Sequence, residues 1–159
     1  DKQLWGIVVS AGKRWPQKSL SLPKLRELIL LIQANGGECL LIGGNDDESV
    51  IEACLEMDPS LKRIPKNPSF QELIETISLC HKVFSGDTLS MHISVGLSIP
   101  TYVFVGPTSA AEINAYTNIY VMSPDLDCLC CYLTNCPKEV KCNEIITFET
   151  LIKNEGWSE

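Results

Sequence analysis

In "SGDTLSMH", residues 85 to 92, an acid (Asp87), two hydroxyls (Thr88, Ser90) and an imidazole (His92) sit between an apolar run ending at Phe84 and another beginning at Tyr102. A polar loop that leads straight into a helix aims backbone N–H groups and the positive end of the helix dipole at whatever lies above it. That arrangement suits a phosphate or sugar hydroxyls. Read alone, Asp87 or Thr88 caps the helix, and a cap can still touch a ligand. His92, read alone, is a satisfied interior histidine.

Three further loops carry chemistry. "SAGKRWP" sets Ser10 and Lys13 after a strand, where a lysine can neutralise a diphosphate as a point charge and a serine can donate its hydroxyl. It lacks the spacing of a P-loop, and by spacing alone Lys13 reads as a solvated loop residue. "GGNDDE" puts Asp46 and Asp47 just past a strand end, where a carboxylate can accept from ribose hydroxyls or simply favour the first turn of the next helix. In "GPTSAAE", Thr108 or Ser109 reads as an N-cap, with a phosphate contact as the alternative.

Eight cysteines are present, and five crowd into "CLCCYLTNCPKEVKC". Cys128, Cys131, Cys136 and Cys142 follow the spacing C-x2-C-x4-C-x5-C, with Cys130 extra. Only one C-x2-C knuckle occurs, so metal is not favoured over reduced thiols or a labile disulfide. Cys39, Cys54 and Cys80 stand alone in apolar surroundings and read as small buried hydrophobes.

The elements that must position these loops alternate. β-type runs at "LWGIVVS", "ECLLI", "LKRIP", "KVFS", "TYVFV" and "NIYVM" are separated by helical patterns. Leu25, Leu28, Ile29 and Ile32 share one helix face behind Ser21 and Pro23, and Phe70, Leu73, Ile74 and Ile77 share another behind Ser69. A shorter helix runs through Val50, Ile51, Cys54 and Leu55, one carries Met91 to Leu97, one begins near Ser109, and the last passes through Phe148, Leu151 and Ile152. Such alternation predicts an α/β, Rossmann-like parallel sheet of about six strands with helices on both faces. Ligands bind such folds at the carboxyl ends of the strands, so the four polar loops are expected on one edge.

At 159 residues, with 45% hydrophobic and 21% charged residues and a mean hydropathy near zero, the composition is that of one globular domain. No run is long enough for a membrane span. A net charge of −7 argues against a nucleic-acid partner. The chain opens on Asp1 with no basic leader, which reads as a piece of something longer.

Taken together, "GKRWP", "LLIGG", "FSGDTLSMHISVGLSIPTYVFVGPTS" and "CYLTNCPKEVKC" resemble, in order and over nearly the whole chain, the C-terminal domain of glycosyltransferase family 9, the heptosyltransferase type that builds lipopolysaccharide core. The resemblance implies half of a two-domain, inverting GT-B enzyme of bacterial type that needs no cofactor or metal. It implies residues 1–159 as a single nucleotide-sugar-binding domain, with an ADP-heptose-like donor as substrate. A glycolipid or glycan acceptor and the catalytic base would come with an N-terminal domain, which is absent. The expected location is cytoplasmic, peripheral at the inner membrane face.

By position, Ser10 and Lys13 would meet the diphosphate, and Asp47, with Asp46 second, would hold the ribose. The backbone near Asn67 and Pro68 would lie beside the base. Asp87 would bind the sugar, Thr88 and the following amides the phosphates, and His92 and Thr108 complete the donor-binding set. Leu89 stands where the family usually has glycine, so its side chain is expected to narrow or reshape the pocket toward another donor or weaker binding. The competing readings are a non-catalytic nucleotide- or sugar-binding module with a decayed donor site, and one half of a sugar-nucleotide epimerase.

Overall fold

Runs of apolar residues too short for helices pair into the central sheet of the computed structural model, which describes residues 2–113 and 116–158. Strands β1 (Leu4–Val8), β2 (Glu38–Ile42), β3 (Lys62–Arg63), β4 (Lys82–Gly86), β5 (Thr101–Phe104) and β6 (Ile119–Met122) lie in the order β3-β2-β1-β4-β5-β6. Every pair is parallel, with registers such as Ile7↔Leu41, Ile7↔Phe84 and Phe84↔Tyr102. The chain winds outward from β1 in both directions, so the strand order reverses between β1 and β4.

Helices α1 (Leu22–Ala34), α2 (Glu48–Met57), α3 (Phe70–Ser78), α4 (Leu89–Gly96), α5 (Cys142–Ile145) and α6 (Glu149–Glu155) cover the sheet. Alternation along the strands divides the core between its two faces. Trp5, Ile7, Val9, Cys39, Leu41, Phe84, Tyr102 and Phe104 pack with Leu25, Leu28, Ile29 and Ile32 of α1, Ile51 and Cys54 of α2 and Leu151 of α6. Val8, Leu40, Ile42 and Val83 point the other way, against Ile77 and Leu73 of α3 and Ile93 of α4. The lone cysteines 39, 54 and 80 are buried, as their apolar neighbours indicate. Burial pushes the Cys39 and Cys80 thiols up to about 12.

The expected elements form, with local corrections. Ser69 caps α3 by accepting from the Glu72 N–H at 3.2 Å, while Glu72 returns the contact to Ser69 N at 2.7 Å. Phe70 at that helix's start is exposed rather than part of the apolar face. "LKRIP" contributes only the two-residue β3. In place of a helix from Ser109, the described residues contain a single turn at Ala110–Glu112, capped by Ser109, and residues 114 and 115 lie outside the described set. No helix among the described residues is long and apolar enough to cross a membrane.

Candidate functional site

The segment after β1 is folded down onto the end of β4. Ser10 Oγ accepts from the Gly12 N–H at 2.8 Å, with Gly12 at φ +82°, and the Ala11 N–H donates to Ser19 Oγ at 2.6 Å. Asn143 Nδ2 donates to Ser19 O at 2.8 Å, and the Ser21 N–H donates to Asn143 O at 3.1 Å. A short 3-10 turn at Pro16–Lys18 then brings Lys18 over β4. Its Nζ lies 2.8 Å from Asp87 Oδ2, with side chains only 17% and 20% exposed. Its backbone oxygen would stand 2.1 Å from a Cβ at Gly86, so only glycine fits there.

Beyond Gly86, Thr88 is the N-cap of α4. Its Oγ1 lies 2.9 Å from Ser85 Oγ, which donates to Gly86 O at 2.8 Å, and it accepts from the Met91 N–H at 3.4 Å. The cap reading of this stretch is therefore right for Thr88. Asp87 instead faces Lys18. The first-turn N–H groups of Leu89 and Ser90 precede any intrahelical acceptor and point off the helix end. Ser90 is buried.

Two expectations for this helix need correction. Leu89 is 57% exposed, has no positive φ and does not line the cleft described next, so its side chain does not narrow it. Its place on the outer side of the first turn sends the isobutyl group to solvent. His92 is exposed rather than interior, edge-on to Tyr116 at 6.2 Å between ring centroids, because it falls on the outward face of α4.

A cleft of about 310 Å³ opens over the ends of β1 and β2. Ser10, Asp47 and Asn67 of the sequence-derived set line it, with Gly43, Gly44, Asn45, Pro68, Leu73 and Ser90. Asp47 is buried, and its Oδ2 accepts from the Gly44 N–H at 2.8 Å, which closes the loop around a carboxylate. Asn67 has φ 53° and turns the chain into Pro68 at the cleft wall. Ser10 Oγ already accepts from Gly12, so its own proton is free to donate. Lys13 and Asp46 do not line the cleft; they pair with each other at 2.8 Å, both well exposed. Asp46 holds the Lys13 ammonium above its usual pKa. Ser90, noted in the sequence as a hydroxyl of this stretch, and Leu73, read there as part of a helix face, also line the cleft although neither was placed in the donor-binding set. Ser90's signal was its place two residues past the Thr88 cap.

Thr108 follows β5 and is buried, so it lies on the same edge but does not line the cleft. The cysteine loop packs below it. Cys128, Cys131, Cys136 and Cys142 border one narrow cavity of about 20 Å³ with Gln17, while Cys130 stays outside it. Every cysteine is a free thiol, and no group of three or more His, Cys, Asp or Glu among the described residues is arranged to hold a metal ion. Gln17 Oε1 and Asn143 Oδ1 are buried without a hydrogen-bond partner among the described residues.

A larger cleft, about 500 Å³, lies at the opposite edge between Gly36, Gly37, Trp5, Glu155 and Trp157. It sits at the amino ends of the strands, away from the α4 N-terminus. In sheets of this winding the carboxyl edge beside the order reversal is the binding edge, so the smaller cleft is the functional candidate.

No family model and no curated protein matches the sequence. Solved structures do match. Glycosyltransferase family 9 from Veillonella parvula DSM 2008 superimposes with a TM-score of 0.75 at 18% identity, over 96% of this chain and 44% of that one. The chain has the fold of a glycosyltransferase family 9 domain. Escherichia coli heptosyltransferase WaaC with ADP-2-deoxy-2-fluoro heptose matches at TM-score 0.68 and 17% identity, over 98% of this chain and 42% of that one. E. coli ADP-heptose LPS heptosyltransferase II matches at 0.69 and 17%, over 77% and 39%. The chain thus spans about two fifths of the length of the structures it matches.

Proposed function

We propose that this chain binds a nucleotide-sugar donor as one half of an inverting GT-B glycosyltransferase. The observation that carries the reading is the cleft at the order reversal, where Ser10, Asp47, Asn67 and Ser90 converge beside the α4 N-terminus. That WaaC was solved with ADP and with an ADP-heptose analogue supports the same ligand class here.

In this reading the base lies against Asn67 and Pro68, and the unshared oxygen of Asp47 accepts from the ribose. The diphosphate meets Ser10 Oγ–H, the Leu89 and Ser90 amides and Lys13, which exchanges Asp46 for phosphate. Thr88 fixes the amides and Thr108 closes the far side. Asp87 receives the sugar hydroxyls, and His92 faces the sugar end from the outer side of α4.

During transfer an acceptor hydroxyl attacks the anomeric carbon as its bond to the diphosphate oxygen breaks. The charge that develops on that oxygen is stabilised by Lys13 and by amides already oriented toward it. A base that takes the acceptor proton would belong to a separate N-terminal domain, which would also carry the glycolipid or glycan acceptor at the cytoplasmic membrane face. Lipopolysaccharide core is the product class the resemblance suggests.

Calorimetric titration of the chain with ADP-, UDP- and GDP-sugars tests this. Saturable heat is expected with one base and weak or no heat with the others. No binding of any of the three contradicts the reading.

A further inference from the structure

Lys18 was not among the residues the sequence pointed to, and its partner Asp87 lies 69 positions away. The pair is four-fifths buried, at 2.8 Å, and does not line the nucleotide cleft. The lysine is held from three sides. Its backbone oxygen packs on Gly86, its N–H donates to Trp15 O at 3.0 Å, and its ammonium stands 5.4 Å over the Trp15 ring. Asp87 is equally constrained, one residue before the cap of α4. With Oδ2 taken by Lys18, Oδ1 is left as the acceptor, its direction fixed by the pair.

We propose that Lys18 is a positioning residue that aims the Asp87 carboxylate at the hydroxyls of the transferred sugar. The proposal rests on the donor-binding reading above. A carboxylate held in one orientation loses less rotational freedom on binding, and its charge is offset before a diphosphate approaches the same helix end. Sugar recognition, rather than nucleotide recognition, is the step that depends on Lys18.

The test compares the affinities of the preferred nucleotide sugar and the matching nucleoside diphosphate in five proteins. These are the wild type, Lys18→Met, Lys18→Arg, Asp87→Asn and the Lys18→Met, Asp87→Asn double variant, with folding checked by thermal melts. Lys18→Met should weaken the nucleotide sugar roughly tenfold more than the diphosphate, the scale of one charge-assisted hydrogen bond. Lys18→Arg should restore most of that difference. In the Asp87→Asn background, Lys18→Met should add nothing further to it, because it acts through Asp87. The double variant, with both charges removed, keeps the comparison available where the single lysine variant folds poorly. Equal weakening of both ligands, no weakening, or an additive loss in the double variant would overturn the proposal while leaving the donor site standing. Failure of the wild type to bind either ligand would overturn the donor reading and this inference with it.

Discussion

Replacing Gly86 with alanine should lower stability by about 3 kcal/mol, the upper range for overpacking, and the melting temperature by roughly 10 °C. The new Cβ would fall 2.1 Å from the carbonyl oxygen of Lys18. A side-chain end could rotate away, but a backbone oxygen moves only with its segment. That segment is tied by Ser19 and Asn143 and carries Lys18 to Asp87. The substitution should therefore also weaken any ligand that uses Asp87. At Gly96, the end of α4, a Cβ would meet nothing within 4 Å among the described residues, so Gly96→Ala is the control and should change stability little. Thermal and denaturant unfolding of both variants checks the difference. Equal stability of the two would mean that the segment after β1 does not rest on β4 in solution.

The second large effect is expected at the opposite edge of the sheet. Glu155, at the end of α6, accepts from Tyr102 Oη at 2.6 Å and pairs with Lys82, whose ammonium stands 5.3 Å over the Trp5 ring. The carboxylate side chain is only 9% exposed and that of Lys82 18%. Burial and the neighbouring carboxylate hold the Tyr102 hydroxyl well above its usual pKa, so it stays a donor. Glu155→Ala leaves a buried ammonium and a buried hydroxyl without this acceptor, at a cost of about 3 kcal/mol. Removing both charges with Lys82→Met and Glu155→Leu should recover most of the loss, because an apolar pair needs no desolvation of ions. Chemical denaturation of the single and double variants measures this. A double variant no more stable than Glu155→Ala would show that the network is not the source of the effect.

Strand and helix order was legible in the sequence because apolar periodicity reports burial directly. The run "ECLLI" becomes β2 without change, and the Leu25, Leu28, Ile29, Ile32 stripe is the buried face of α1. The capping role of Thr88 was legible for the same local reason. Pairings between distant segments were not. Lys18 reaches Asp87 only because the loop after β1 folds back over Gly86, and nothing within either segment signals the other. His92 was misplaced because one histidine near an apolar run does not say which side of a short helix it takes, and α4 turns it outward. The pairing of Lys13 with Asp46 is long-range in the same sense. It joins two residues read separately as phosphate and ribose contacts into one exposed ion pair.

On the proposed reading the donor occupies the cleft over β1 and β2, not the larger opening at the amino edge. An amide NMR titration of the chain with the nucleotide sugar it binds measures this residue by residue. The largest shifts are expected at Ser10, Gly44, Asp47, Leu89 and Ser90, with Gly36, Gly37 and Trp157 unmoved. Shifts concentrated at Gly36, Gly37 and Trp157, with the first group silent, would place the donor at the amino edge and contradict that reading.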